Sequence, residues 1–579
     1  MTRDTSESSS DTTGSDQTSG DSDASANPDT SKNPDASGSS DSEETKETTA
    51  ETQGPVEMRM WISGSGQPLS KDNEIQKKIT DDTGVVVVED YSGGNVSDDT
   101  VFENMALAND YPDFLYTNNS YGFIELMEAG KLVAWDDYLN DPRYSNLRSL
   151  YTDAQWDMFR QNDGHIYWAD IRNTDYNQVS ADRYQTGLAF WIQVRVLEWA
   201  NYPKIETLDE YFKLLDDFYE EHKANADGTP IIPYTVLCED WRNFCLEAAP
   251  AFLDGNYSDA GIAIDTSDLT HPKIVEYDTT DTAKRYYAKL NEAYQKRLLD
   301  QEFEIQTYDE YLEKLRSGRV LGMCDQYWDF ANAIYDANGS FLDGDLGYDY
   351  VPVPLTIDPG MKNYWHVDGY TDTVYYESGV AVTTACKYPD MAFKFMNRLL
   401  DQDMMNLRFW GIEGTDYKVQ DDGTFHREPF MRDRWLNSSY QANHVCQYAY
   451  LPHYRGYSRD GKNVMDPQDS TDDFLYGKPE SVARCLIHYG YSSYTDFLHS
   501  EPFEKGKWFP LSTVTNIALF TDVWEAGQAR SELKQDRLPK LVQSEDFDKD
   551  WEAYVKDYEA IGISAYFDDV QKELDKLSS

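Results

Sequence analysis

Positive charge is scarce in this chain: 51 Lys plus Arg stand against 105 Asp plus Glu in 579 residues, a formal net charge of -54. Such a surface repels polyanions at long range, which excludes nucleic acid and a bare anionic membrane as partners. Cysteine is also rare, with Cys238, Cys245, Cys324, Cys386, Cys446 and Cys485 scattered and no Cys-x-x-Cys pair among them. That spacing points to buried free thiols rather than a disulfide framework. The nine histidines form no His-Glu-x-x-His, and His444 with Cys446 is too isolated a pair for zinc, so neither a metal nor a cofactor is expected. A phosphate loop, a Gly-x-Gly-x-x-Gly loop and a Gly-x-Ser-x-Gly elbow are all missing, which leaves nucleotide binding and serine hydrolysis without a motif. There is no apolar run of about 18 residues and no charged-then-apolar pattern after Met1. If the protein is exported, the numbered chain is expected to be a processed or trimmed form.

What the chain does have is apolar content of 40% and aromatic content of 14%, enough to bury substantial cores in two or three domains. Residues 1–55 are the exception, being rich in Ser, Thr, Asp, Gly and Glu with almost no apolar side chains. A segment of that composition cannot recover the entropy cost of folding, so it is expected to be disordered. As a coil of about 50 residues it would span about 40 Å, more with self-repulsion. It reads as a tether that holds a domain off a surface, the alternative being a solubilising tail.

After the tail, Glu57 to Ile62 alternates polar and apolar residues and Ser63-Gly-Ser-Gly66 turns the chain. An amphipathic segment around Ile75 and Ile79 stops at Gly84, and Val85 to Val88 makes a second strand, giving a βαβ unit. Pro112 to Tyr116 is a third strand, ending in Thr117-Asn-Asn-Ser-Tyr121. Ligands of open α/β sheets sit at the carboxyl ends of strands, so the loops after Trp61 and Tyr116 line one crevice. Ser65, Gln67, Asn118, Asn119 and Tyr121 are the candidates those loops supply. Thr207-Leu-Asp-Glu210 and Thr307-Tyr-Asp-Glu310 are capping boxes that open two further helices. From Ser378 to Leu400 a short β-branched strand, a corner and a helix starting at Pro389 follow in order.

That stretch, running on to Gly411-Ile-Glu-Gly-Thr-Asp-Tyr417 and an Asp422-Gly423 turn, resembles the extracellular solute-binding lipoproteins of sugar ABC importers. The resemblance extends to Ala189-Phe-Trp-Ile192 with Leu197, Leu298 to Phe303, Ser317-Gly-Arg-Val320, and the closing Trp551-Glu-Ala-Tyr-Val555 with Gly562-Ile-Ser564. It implies an α/β, two-lobed periplasmic-binding-protein-like fold of type II with hinge crossings, behind a disordered tail. Lobe 1 is expected to comprise 56–187 and 350–402, and lobe 2 to comprise 188–349 and 403–579. It further implies a monomeric, Gram-positive cell-surface lipoprotein that captures an oligosaccharide ligand and delivers it to an ABC importer permease. The membrane would be reached only through a lipid anchor, whose cysteine is not in this chain. The family's calcium loop is replaced here by Lys223 to Pro233, where only Asn225 and Asp227 offer side-chain oxygens, too few for a cation that takes six to eight.

A sugar ring presents a C–H face and a belt of hydroxyls, so its site needs flat aromatic platforms together with carboxylates and amides. Trp328 matches the stacking position of maltose-binding protein, a distant relative within the resemblance, and Trp241 follows the acidic step Glu239-Asp240. Asp325, with Glu239 and Asp240, would then accept hydrogen bonds from hydroxyls. Trp365 to Tyr370, including Asp368, is a polar-aromatic insertion that could roof the cleft. For each tryptophan the alternative is a core position, which is the reading for Trp135 and Trp410. Two other functions stay open: a glycoside-cleaving enzyme using two of Glu239, Asp240 and Asp325 about 5 to 9 Å apart, and a binder of neutral or cationic peptides.

Overall fold

The computed structural model describes residues 54–579 except 65, 93–97, 119, 176–182, 186, 269, 334–345, 368–373, 375–377, 504, 507, 510, 512–513, 516–520 and 579. Its first sheet is built around the strand Val56–Ile62, flanked in parallel by Val85–Tyr91 and Phe114–Thr117. Gly379–Val382 runs antiparallel to Phe114–Thr117, and Trp168–Ala169 runs antiparallel to Gly379–Val382. The alternation in the first strand sorts its side chains to two faces. Met58, Met60 and Ile62 pack with Ile75 and Ile79, whereas Trp61 packs with Phe102, Leu115, Phe123 and Trp168. A sheet covered on both faces suits its largely parallel strands.

The helix Glu74–Thr83 starts at Asn73, whose side chain accepts from the Gln76 N–H, and ends at Gly84 with φ 71°. Glycine takes that left-handed conformation without the Cβ clash that other residues incur. The helix Pro389–Arg398 opens on its proline and buries Ala392, Phe393, Phe395 and Met396 against the same core.

The second sheet centres on Leu188–Gln193, every residue of which is buried, between Gly322–Gln326 and Tyr350–Val353, both antiparallel to it. Bridges Ile232–Val320 and Thr235–Met323 bring the segment Ile231 to Leu237 alongside, parallel to Gly322–Gln326. Both expected capping boxes are present, at Thr207 with Glu210 and at Thr307 with Glu310. The helix opened by the first buries Leu208, Tyr211, Phe212, Leu215 and Phe218. Three C-terminal helices, Asp522–Gln543, Phe547–Ala560 and Ser564–Ser578, complete this core.

The chain passes from the first core to the second between Ala169 and Leu188, and returns between Val353 and Gly379. It then stays with the first core longer than the expected boundary at 403. Met404, Met405, Phe409, Cys446, Tyr448, Leu451, Tyr454 and Met465 all pack with the first core, and the chain rejoins the second only near Phe474. The helix Gln402–Phe409 has almost no one-sided apolar pattern, so its lobe could not be read from periodicity. All six cysteines are buried free thiols.

Candidate binding site

At the carboxyl edge of the second sheet, two adjacent segments turn outward. Beyond Leu237 the chain enters the turn Asp240–Asn243, and beyond Gln326 it enters the turn Tyr327–Phe330. Asp240 has φ 50°, a left-handed conformation that is uncommon for a non-glycine residue and often found at functional positions. The result is an outward-facing Trp241, 58% exposed, beside a Trp328 that is 48% exposed. Their rings lie 5.9 Å apart at an interplanar angle of 10°. Phe244 completes a triangle, 5.9 Å from Trp241 and 6.4 Å from Trp328. A sugar ring slotted between two indoles would need about 7 Å, one van der Waals contact on each face. These rings are too close for that and instead stack with each other as one exposed aromatic pair.

The platform is tied from behind. Arg242 lies 4.5 Å from the Trp241 ring and 3.8 Å from the Tyr308 ring, and its Nε meets Asp329 Oδ1 at 3.1 Å. The Trp328 indole N–H donates to Gln326 Oε1. Gln535 donates to the Asp240 carbonyl at 2.8 Å, and Glu239 accepts from the Tyr308 N–H at 2.5 Å. Glu239 is thus half-buried with one oxygen engaged, while Asp240 is exposed.

Two expected ligand contacts are corrected. Asp325 is fully buried and accepts from the Tyr311 hydroxyl at 2.6 Å, the Gln326 N–H at 2.6 Å and the Cys245 thiol at 3.3 Å. Alternation along Gly322–Gln326 turns its side chain into the interior. Burial first, and then the Asp329 charge, push its carboxyl up to about 7. Trp365 is likewise a core residue rather than a roof, 2% exposed, with its ring 4.6 Å from Phe252 and its N–H bonded to the Leu355 carbonyl at 2.7 Å. Trp365 still lines a 250 Å³ cavity together with Phe244, Gln326, Gln185 and His366.

The carboxyl edge of the first sheet carries a second polar-aromatic group. Asp98 accepts from Ser63 Oγ at 2.7 Å and from Thr117 Oγ1, so it joins the ends of two neighbouring strands. The Tyr116 hydroxyl donates to Asn118 Oδ1 at 2.6 Å, and Asn118 is otherwise exposed. Arg172 lies over Tyr116 at 4.3 Å and Tyr450 at 5.4 Å and pairs with Asp170 at 3.2 Å, while Ser378 donates to the same carboxylate at 3.1 Å. Burial opposes the Arg172 charge, but Asp170 and Tyr116 hold its pKa above the ordinary value. Gly64 lets the Tyr450 hydroxyl come close, since a Cβ there would lie 2.5 Å from it and push the ring aside. Gln67 lines an 890 Å³ cavity shared with Tyr91, Tyr184, Arg432 and Trp435. Ser65, Asn119, Asp368 and the Tyr121 side chain lie outside the described residues.

Sequence reasoning missed Phe244, Asp98, Arg172 and Tyr450. Arg172 had a signal, since Asp170-Ile-Arg172 directly follows a short strand that runs parallel to the first three. Tyr450 had none, because a long excursion through the chain brings it back to this edge.

No family model matches the chain, and no curated protein does either. Solved structures do. An HMO-binding, ABC-transporter-associated solute-binding protein from Bifidobacterium longum infantis ATCC 15697 aligns with TM-score 0.56 and 14% identity over 90% of this chain and 99% of its own. An extracellular solute-binding protein from Bifidobacterium longum subsp. infantis aligns with TM-score 0.57 and 15% identity over 92% of this chain and 100% of its own. The S. pneumoniae ABC-transporter substrate-binding protein FusA, in complex with kestose, gives TM-score 0.57 and 15% identity over 90% of this chain and 99% of its own. Two sheets with helices around each, joined by several crossings, and this likeness along nearly the whole described chain agree: the protein has the two-lobed α/β fold of the ABC-transporter solute-binding proteins.

Proposed function

We propose that the protein captures a neutral oligosaccharide outside the cell and hands it, chemically unchanged, to the permease of an ABC importer. The observation that carries this reading is the pair of exposed indoles, Trp241 and Trp328, beside the half-buried Phe244 at the carboxyl edge of the second sheet. Large exposed indoles are costly in water and are suited to the C–H face of a sugar. Asp240 and Glu239 at its margin, and Asn118 and Gln67 at the first sheet's edge, supply acceptors and donors for hydroxyls. A net charge of -54 disfavours an anionic ligand and favours a neutral one. Two of the similar structures are named for oligosaccharides, one as HMO binding and one in complex with kestose.

A ligand that touches both lobes shifts the open-to-closed equilibrium, because only differential contact can do so. A micromolar dissociation constant needs about 8 kcal/mol, within reach of a few stacked rings and several net-favourable hydrogen bonds. Release without cleavage fits the withdrawal of Asp325 into the interior, which leaves Glu239 and Asp240 as neighbours in the chain rather than as carboxylates flanking a bond. The acidic, Ser- and Thr-rich residues 1–55 serve as a tether from a surface lipid anchor to a monomeric binding unit. A ligand-induced melting screen over neutral oligosaccharides, uronate oligomers and peptides tests the proposal. Stabilisation by neutral oligosaccharides alone supports it; stabilisation by peptides alone, or shortened products after incubation, overturns it.

A further inference from the structure

Beneath the platform lies a buried group of charges that does not balance. Asp325 and Asp329 are 0% and 1% exposed, and their carboxylates lie within 4.8 Å of each other and of the Cys245 thiol. Asp329 Oδ1 takes the Arg242 Nε, but among the described residues its buried Oδ2 has no hydrogen-bond partner. An unpaired carboxylate oxygen in that position is costly. The other titratable groups packed around the pair are Tyr308 and Tyr311 from the helix Tyr308–Arg316, Cys245 from Phe244–Glu247, and Cys324 from the strand itself. Among the described residues Arg242 is the cation acting on the pair, so two carboxyl groups face one guanidinium. Tyr311 and Cys245 already donate into the cluster, as does the Gln326 N–H. What the geometry still lacks is a proton on one of the two acids.

We propose that Asp325 and Asp329 are positioning residues that together hold one proton beneath Trp241 and Trp328, and that the two indoles keep their register only while that proton is bound. The connection is short. Asp329 follows Trp328 directly, Arg242 follows Trp241 directly, and the Arg242–Asp329 pair joins the two turns. The Tyr308 hydroxyl donates to the Asp329 carbonyl at 2.5 Å, so the same helix braces both. When the second carboxyl ionises, two like charges face one cation in a low-dielectric interior and repel each other. Burial raises the Asp325 carboxyl to about 7, with the Asp329 charge adding to it, and burial also raises Asp329 against the pull of Arg242. The step belongs to the pair rather than to either residue. Its consequence for ligand affinity rests on the binding function proposed above; its effect on the indoles does not.

The test therefore needs no ligand. Full-length protein labelled with 5-fluorotryptophan is titrated by 19F NMR from about pH 5 to 9, with two resonances assigned through Trp241→Phe and Trp328→Phe. Both resonances are expected to move with one common midpoint near neutrality. In Asp325→Asn and Asp329→Asn, which replace the pair's one proton by a permanent N–H donor, they are expected to stay still across the same range. Arg242→Gln, which removes the cation, is expected to raise the midpoint by about one pH unit or more. Resonances that stay still in the unmodified protein overturn the proposal. So does a titration that persists in the Asn variants, or an unchanged midpoint in Arg242→Gln should neither Asn variant fold. If oligosaccharide binding is established, its Kd should rise up to about tenfold per pH unit above the midpoint. A common midpoint without that rise would leave the proton pair standing and count against the platform as the binding surface.

Discussion

The indole of Trp241 stacks against that of Trp328 at 5.9 Å between ring centroids, although Trp328 leaves the strand Gly322–Gln326 and Trp241 the segment bridged beside it. Substituting either one by alanine removes half of a shared surface. Trp328→Ala is expected to weaken oligosaccharide binding by roughly 2 kcal/mol, about 30-fold in Kd, as centrally placed tryptophans do. Trp241→Ala should have a similar effect, and the double variant should lose less than the sum because the rings touch. Calorimetry reads all three, and an unchanged affinity in Trp328→Ala removes that residue from the site.

Trp365 should behave in the opposite way. Its ring packs on Phe252 inside the second core and its N–H holds the Leu355 carbonyl. Trp365→Ala is expected to cost about 3 to 5 kcal/mol of stability, the range for large aromatic truncations in cores. Urea unfolding measures this, and a surface-like loss below about 0.5 kcal/mol would contradict the core assignment.

The first core contains a histidine that resists protonation. His453 is buried, with Nδ1 at 2.9 Å from the Leu451 carbonyl, to which a neutral ring donates, and Nε2 at 2.9 Å from the Asn173 side-chain amide. Burial, followed by the Arg408 charge, lowers its pKa to about 3, against about 6.5 in an unfolded chain. Between those values the unfolded chain binds more protons, so this group's contribution falls as pH falls below about 6.5, by about 1.4 kcal/mol per pH unit. The difference in stability between the unmodified protein and His453→Gln, followed from about pH 7 to 5, isolates that slope. Parallel curves would show that the ring is not held neutral.

A buried ion group fastens the C-terminal helices to the second core. Asp278 receives Arg530 Nε at 2.5 Å, Lys534 Nζ at 3.3 Å and the Tyr558 hydroxyl at 2.9 Å. Burial opposes ionisation of Asp278, but Arg530 and Lys534 hold its pKa below the ordinary value. Asp278→Ala leaves two buried cations facing each other with less compensation and is expected to cost about 3 to 5 kcal/mol. A loss near the surface range in a denaturant melt would mean that water reaches the group.

Much of the scaffold was legible in local signals. The Asn73 to Gly84 helix and the Thr207 and Thr307 capping boxes depend on contacts a few residues apart, so the chain states them directly. The two exposed tryptophans were also found, because loops at strand ends are where an aromatic can face outward. Asp325 and Trp365 were misplaced for a common reason. Both belong to polar or aromatic phrases that suit a cleft, and only tertiary packing against Tyr311, Cys245 and Phe252 draws them inside. The lobe boundary after residue 403 failed similarly, since Met404 to Met465 contact the first core through long-range packing rather than through a local pattern. Asp98 was invisible because its role exists only once the ends of two strands lie side by side.

The most direct test combines the melting screen with the double variant Trp241→Ala/Trp328→Ala. At least one neutral oligosaccharide is expected to raise the melting temperature of the unmodified protein, and that rise is expected to vanish in the double variant while its ligand-free melting stays close to the original. A rise that survives loss of both indoles, or one given only by peptides, would contradict the proposed function.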